Sequence, residues 1–220
     1  MGDRATKDAL YDGFSVVAKA LANGRRAEIV DVLSQGERSV EELAAEIGQS
    51  VANTSQHLQQ LAGAGLVRTR RDGNRVIYAL TSPQVGRLWV TLRSVAADHV
   101  AQIDRLAAAY LGDRDGLPTI SRDELARRLR SGDVVILDVR PVAEYRAGHI
   151  LGARSVPVTA LDTELDRLDH DQEVVTYCRG PYCVYADDAV RELRRRGVPA
   201  RRLEDGYPEW AEAGLPTAAA

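Results

Sequence analysis

The sequence predicts two domains of different class, a mainly helical one carrying a β-hairpin and an α/β one built on a small parallel sheet. Three observations carry that expectation. Apolar residues recur at helical spacing as far as Leu61 and then alternate on either side of Asp72-Gly73, a pair suited to a tight hairpin turn. From Ser121 onward, short apolar runs that read as buried strands alternate with helical segments, as a parallel sheet requires. Between the two rhythms, 112–118 is short, polar and bears glycine and proline, so the domains are placed at 1–111 and 120–220 with a linker at 112–119.

Composition limits the function classes. The 220 residues carry 29 basic and 32 acidic side chains, a net charge of -3, with 45% apolar and 28% charged residues. That is enough chain for two modest domains. No window approaches the roughly 20 consecutive apolar residues of a membrane span, and MGDRATKDALYDG lacks a signal peptide's apolar core, so a cytoplasmic protein without a membrane partner is expected. The near-neutral total gives no argument for nucleic acid; only the positions of the arginines can. Cys178 and Cys183 are too few for a disulfide framework and point to reactive thiols in a reducing cell.

In the first domain, helices are expected over 9–21 and 29–33, separated by Asn23-Gly24 and closed by Gln35-Gly36. Ser39-Val40-Glu41-Glu42 is a capping box that starts a third. A fourth begins near Ser50, after Gly48. The hairpin at 68–78 reads as a two-stranded ribbon. Ser82-Pro83 then supplies an N-cap and a first-turn proline to one uninterrupted helix reaching about Tyr110, with Leu88, Leu92, Val95, Val100, Ile103 and Leu106 along it.

Residues 41–62 have helix-turn-helix proportions. On the second helix Thr54, Leu58 and Leu61 point inward, which leaves Asn53, Ser55, Gln56 and Gln59, with Ser50 at the start, for base edges in a major groove. Arg68, Arg70, Arg71 and Arg75 gather on the hairpin, where a phosphate backbone would pass. The plain alternative is a solvated helix face with arginines paired to surface acids; the order and spacing favour double-stranded DNA. Residues 21–80 resemble the ArsR/SmtB family of winged helix-turn-helix repressors. The resemblance implies a homodimer joined through the segments 9–21 and 83–110. Many members of that family sense metals, but this sequence departs from their pattern and no metal or other cofactor is expected: Ser39-Val40-Glu41 stands where metal-sensing members place a cysteine pair, and Asp98, His99 and Asp104 lack the paired histidines expected on the last helix.

In the second domain, Ser121-Arg122-Asp123-Glu124 caps a helix, 134–137 and 173–177 read as buried strands, and 185–196 as a helix. Cys178 ends a strand, and Arg179, Gly180, Pro181, Tyr182 and Cys183 make a compact loop before a helix start. Backbone amides curling round that point, with the helix end, favour a thiolate over the free thiol with its pKa of about 8.5. Alternatively, both cysteines simply fill core space. Leu137-Asp138-Val139-Arg140, Glu144-Tyr145, 148–153, the cysteine loop, 203–210 and Gly214-Leu215-Pro216 together resemble a single rhodanese domain. The resemblance implies a rhodanese-like parallel sheet, Cys178 as nucleophile, a small sulfur donor and a thiol acceptor, and Asp138 and Arg140 as supports of the loop. Phosphatases of this fold class use a longer loop with an arginine where Val184 stands, so phosphatase activity is not expected. Cys183 either resolves a Cys178 persulfide or fills space; spacing alone leaves both open.

The expected function is a DNA-binding repressor whose rhodanese domain forms a Cys178 persulfide and couples sulfur status to operator binding. The competing expectation is a thiosulfate-type sulfurtransferase, acting through Cys178, whose winged domain targets or dimerises it.

Overall fold

Residues 2–165 and 172–219 are described by a computed structural model. The chain divides into two compact units, Met1–Thr91 and Leu92–Ala220, and the expected linker at 112–119 lies inside the second.

The first unit contains α1 (Arg4–Leu21), α2 (Gly24–Ser34), β1 (Arg38–Ser39), α3 (Val40–Glu46), α4 (Val51–Gly63), β2 (Val67–Asp72) and β3 (Arg75–Leu80), and its last residues begin α5 (Pro83–His99). Local chemistry fixes the starts of α2, α3 and α4, whereas α1 begins at Arg4 and α2 at Gly24, each about five residues before the apolar spacing places it. The Asn23 side chain accepts from the N–H groups of Arg25 and Arg26, Ser39 and Glu42 complete both halves of the capping box, and Ser50 Oγ accepts from Asn53 N–H. The stripes these helices bury, including Ile29, Val30, Leu33, Leu43, Leu58 and Leu61, form one core. The ribbon of β2 and β3 gains a third strand, in order β1-β3-β2, because the two residues of β1 pair with Tyr78 and Ile77. Two residues are too short a run to carry a strand signal in sequence.

The expected uninterrupted helix to Tyr110 is two helices. α5 stops at His99, and α6 (Ile103–Leu111) follows a turn in which the Ile103 N–H donates to the Val100 carbonyl at 2.8 Å. Neither proline nor glycine marks that turn, so the apolar period runs through it unbroken.

The second unit continues with β4 (Thr119–Ile120), α7 (Arg122–Ser131), β5 (Val135–Asp138), α8 (Val142–Ala147), β6 (His149–Ile150), β7 (Arg154–Ser155), α9 (Leu161–Leu165), β8 (Val174–Tyr177), α10 (Tyr185–Arg195), β9 (Ala200–Leu203), α11 (Tyr207–Glu212) and β10 (Thr217–Ala218). Five strands form a parallel sheet in the order β4-β9-β8-β5-β7, while β6 and β10 pair antiparallel. Both faces of the sheet are covered, which is why β5 and β8 read as continuous apolar runs. Alternation along β8 sends Val174 and Cys178 into one core with Ala189, Val190 and Leu193 of α10, and Val175 and Tyr177 into the other with Leu125 and Trp210. Cys178 therefore starts on the α10 face of the sheet.

Candidate functional site

On α4 the faces divide as expected. Thr54, Leu58 and Leu61 are fully buried, and Asn53, Gln56 and Gln59 are exposed with Ser55 half-buried. Ser50 differs in role from its neighbours, since its hydroxyl is engaged in capping α4. On the hairpin, Arg71 and Arg75 are exposed; Arg70 pairs with Glu37 at 2.8 Å and Asp72 at 3.2 Å, and Arg68 lies 3.8 Å from Glu37. Part of the cationic cluster is thus neutralised by its own fold.

Of the two roles that spacing leaves open for Cys183, the structure has the bridged arrangement. Cys178 and Cys183 are joined in a disulfide, their Cα atoms 6.3 Å apart. A turn brings them together: Cys183 N–H donates to the Gly180 carbonyl at 3.2 Å, folding the chain back over Pro181 and Tyr182. Cys178 is 1% exposed in this bridged form, with its carbonyl held by Tyr207 N–H at 3.0 Å. The sulfur is no nucleophile until the bridge is reduced.

Asp138 ends β5 and Arg140 follows it by two residues. Both are fully buried, paired at 2.6 Å, and Arg140 also donates to the Gly148 carbonyl at 2.7 Å and lies 4.4 Å from the Tyr207 ring centroid. Burial lowers the Arg140 pKa, but hydrogen bonding and the charge of Asp138 outweigh it and leave the guanidinium above its ordinary value. The Tyr177 hydroxyl donates to Asp138, and burial first, then that carboxylate, pushes its pKa far up, so it stays neutral. Arg140 thus braces Tyr207, whose amide holds Cys178, while Tyr177 anchors Asp138 from the strand that precedes the loop.

Arg179 leaves the loop rather than facing into it. Its guanidinium grips the buried carboxylate of Glu144 on α8, with contacts of 2.6 and 3.1 Å. Two glycines of the motif set are required by close approach. A Cβ at Gly206 would run into the backbone of Arg179 and Gly180, and one at Gly148 into the Tyr207 hydroxyl.

Sequence reasoning missed Arg114 and Arg93 and the pairings of charged groups around the loop. Arg114 donates to the Pro181 carbonyl at 2.8 Å, the Cys183 carbonyl at 3.2 Å and buried Asp187 at 2.5 Å. Glu209 accepts from Gly206 N–H at 3.0 Å and pairs with Arg93, whose guanidinium lies 6.0 Å from the Tyr182 ring. Burial raises the Glu209 pKa, with Arg93 opposing. Glu144 belongs to a quoted motif, yet its pairing with Arg179 carries no signal in spacing. Among the described residues no helix is long and apolar enough to cross a membrane.

Comparison with known proteins matches both units. The family described as bacterial regulatory protein, arsR family, matches residues 23–69, and the rhodanese-like domain family matches residues 121–213. The HTH-type transcriptional regulator Rv0324 of Mycobacterium tuberculosis is 46% identical over 98% of this chain and 94% of its own length. The uncharacterized HTH-type transcriptional regulator Rv0081 of the same organism is 39% identical over 46% of this chain and 93% of its own. Among solved structures, the homodimeric winged helix-turn-helix DNA-binding domain of Mb0332 from Mycobacterium bovis is 43% identical, covering 45% of this chain and 92% of that one with a TM-score of 0.42.

Proposed function

Since the chain belongs to the ArsR family of HTH-type transcriptional regulators and carries a C-terminal rhodanese-like domain, we propose that it is a homodimeric repressor whose operator binding responds to persulfide formation on Cys178. Support for the DNA contact comes from the exposed amides of α4 beside Arg71 and Arg75. Support for self-association comes from the exposed Leu10, Tyr11 and Phe14 of α1 and the exposed Leu88, Leu92 and Val95 of α5, since apolar side chains grouped on a helix favour a partner.

The observation that carries the sulfur reading is the placement of Cys183 within bonding reach of Cys178, at a strand end leading into α10. The reduced Cys178 thiolate attacks the outer sulfur of thiosulfate, the S–S bond breaks, and sulfite leaves with the bonding pair, giving a Cys178 persulfide anion. The Cys183 thiol then attacks the inner sulfur, forms the Cys178–Cys183 disulfide and releases hydrosulfide, which carries away the proton. Two equivalents of a cellular thiol reopen the bridge. A loaded state and a bridged state thus differ covalently at one loop.

The test measures binding of an operator fragment by the reduced, persulfide-loaded and bridged protein and by Cys178→Ser. The expected outcome is a change of about tenfold or more between reduced and modified wild-type protein, a coupling of about 1.4 kcal/mol, and none in Cys178→Ser after the same treatment. Equal affinity in all forms, with sulfite released catalytically, would favour the sulfurtransferase reading instead.

A further inference from the structure

Arg114 stands where sequence reading places a linker, yet its guanidinium is committed to the cysteine loop. It binds the carbonyls of Pro181 and Cys183 and the buried carboxylate of Asp187, in the first turn of α10. A trans peptide sets the carbonyl and the following N–H on opposite sides. Drawing the Pro181 and Cys183 carbonyls toward Arg114 therefore turns the N–H groups of Tyr182 and Val184 away from it. Pro181 has no N–H of its own, so these donors form a large part of what the loop can offer an anionic sulfur.

Arg202 of β9 lies 3.3 Å from the other oxygen of Asp187, so two guanidinium groups share one buried carboxylate behind the loop. Arg202 is held below its ordinary pKa by burial first and then by Arg114. Glu204 and Asp205 also act on Arg202, so the clamp bears on the sulfur through the loop's amide donors rather than through net charge.

We propose that Arg114 is a positioning residue for Cys178: by clamping the Pro181 and Cys183 carbonyls it fixes the direction of the loop's amide donors and keeps Cys183 beside Cys178. The proposal rests on the reading of Cys178 as the reactive sulfur but not on any effect on DNA. Other charged and titratable groups lie around the loop: Arg179 with Glu144, Arg140 with Asp138, Glu209 with Arg93, and Tyr182, Tyr185 and Tyr207. All are retained in the variants below, so they cancel in the comparison.

The experiment follows the pH dependence of Cys178 alkylation in the reduced full-length protein. Trypsin cuts after Arg179 and so places Cys178 and Cys183 in different peptides for mass spectrometry. Arg114→Gln is expected to raise the Cys178 midpoint by about one pH unit, and Arg114→Lys to raise it as well, since one ammonium cannot hold two carbonyls and a carboxylate at once. Arg191→Gln is the control: Arg191 binds the Asp113 carbonyl at 2.8 Å, on the same segment, without touching the loop, and the midpoint should not move. An unmoved midpoint in Arg114→Gln, full recovery in Arg114→Lys, or an equal shift in Arg191→Gln overturns the proposal. If Arg114→Gln does not fold, Arg114→Lys decides alone. Absence of any sulfur effect on DNA affinity would defeat the functional reading and leave this result standing.

Discussion

Gly206 sits where two backbones touch, and a single methyl group there has nowhere to go. Its N–H binds Glu209, and the next amide holds the Cys178 carbonyl, so the residue joins α11 to the cysteine loop. Gly206→Ala is expected to destabilise the protein by about 1–3 kcal/mol, the usual range for overpacking, read as a lower denaturant midpoint with unchanged slope. Cys178 itself illustrates a limit of residue-level reading. Its position at a strand end and its neighbours in sequence are legible. Its bond to Cys183 depends on a turn through Gly180 that five residues of spacing permit without dictating.

At the scale of elements, one carboxylate joins a helix to two strands. Glu173, just before β8, pairs with Arg128 of α7 and with Arg201 of β9, the latter at 2.7 Å. Partial burial raises its pKa, but the hydrogen bonds and charges of the two arginines prevail and bring it below the ordinary 4.5. A depressed native pKa means that the fold favours the carboxylate. The stabilisation is therefore present above pH 4.5 and fades as pH falls through the lower native value. Glu173→Gln should cost about 1 kcal/mol at pH 7, and the difference from wild type should shrink below pH 4.5 in urea unfolding series. None of this pairing is visible in sequence, because Glu173 and Arg128 lie 45 residues apart and meet only through the strand order. The caps at Ser39 and Ser121, by contrast, are legible because donor and acceptor lie within three residues.

For the molecule as a DNA-binding protein, the hairpin arginines are not equivalent. Arg70 is held by Glu37 and Asp72, whereas Arg71 and Arg75 extend from exposed positions. If α4 and the hairpin face a duplex, Arg71→Gln with Arg75→Gln should lower the slope of log affinity against log salt by about one for each phosphate no longer neutralised, and Arg70→Gln by less. A slope untouched by the double replacement would mean that the hairpin does not lie on the phosphate backbone. The division of α4 into a buried and an exposed face was legible because helical period alone decides it. The neutralisation of Arg70 was not, since Glu37 reaches it across 33 residues of chain.

The sequence by itself determined the two fold classes, the capped starts of α3 and α7, the faces of α4 and the position of Cys178 after a buried strand. Each follows from interactions within a few residues or from a repeating period. Only the tertiary structure decided the break after His99, the third strand of the hairpin sheet, the capture of Arg179 by Glu144 and the clamp of Arg114 on the cysteine loop. Apart from that break, those contacts join residues far apart in the chain, and the energy of a charged pair depends on where burial and strand order bring its partners, which no local pattern encodes.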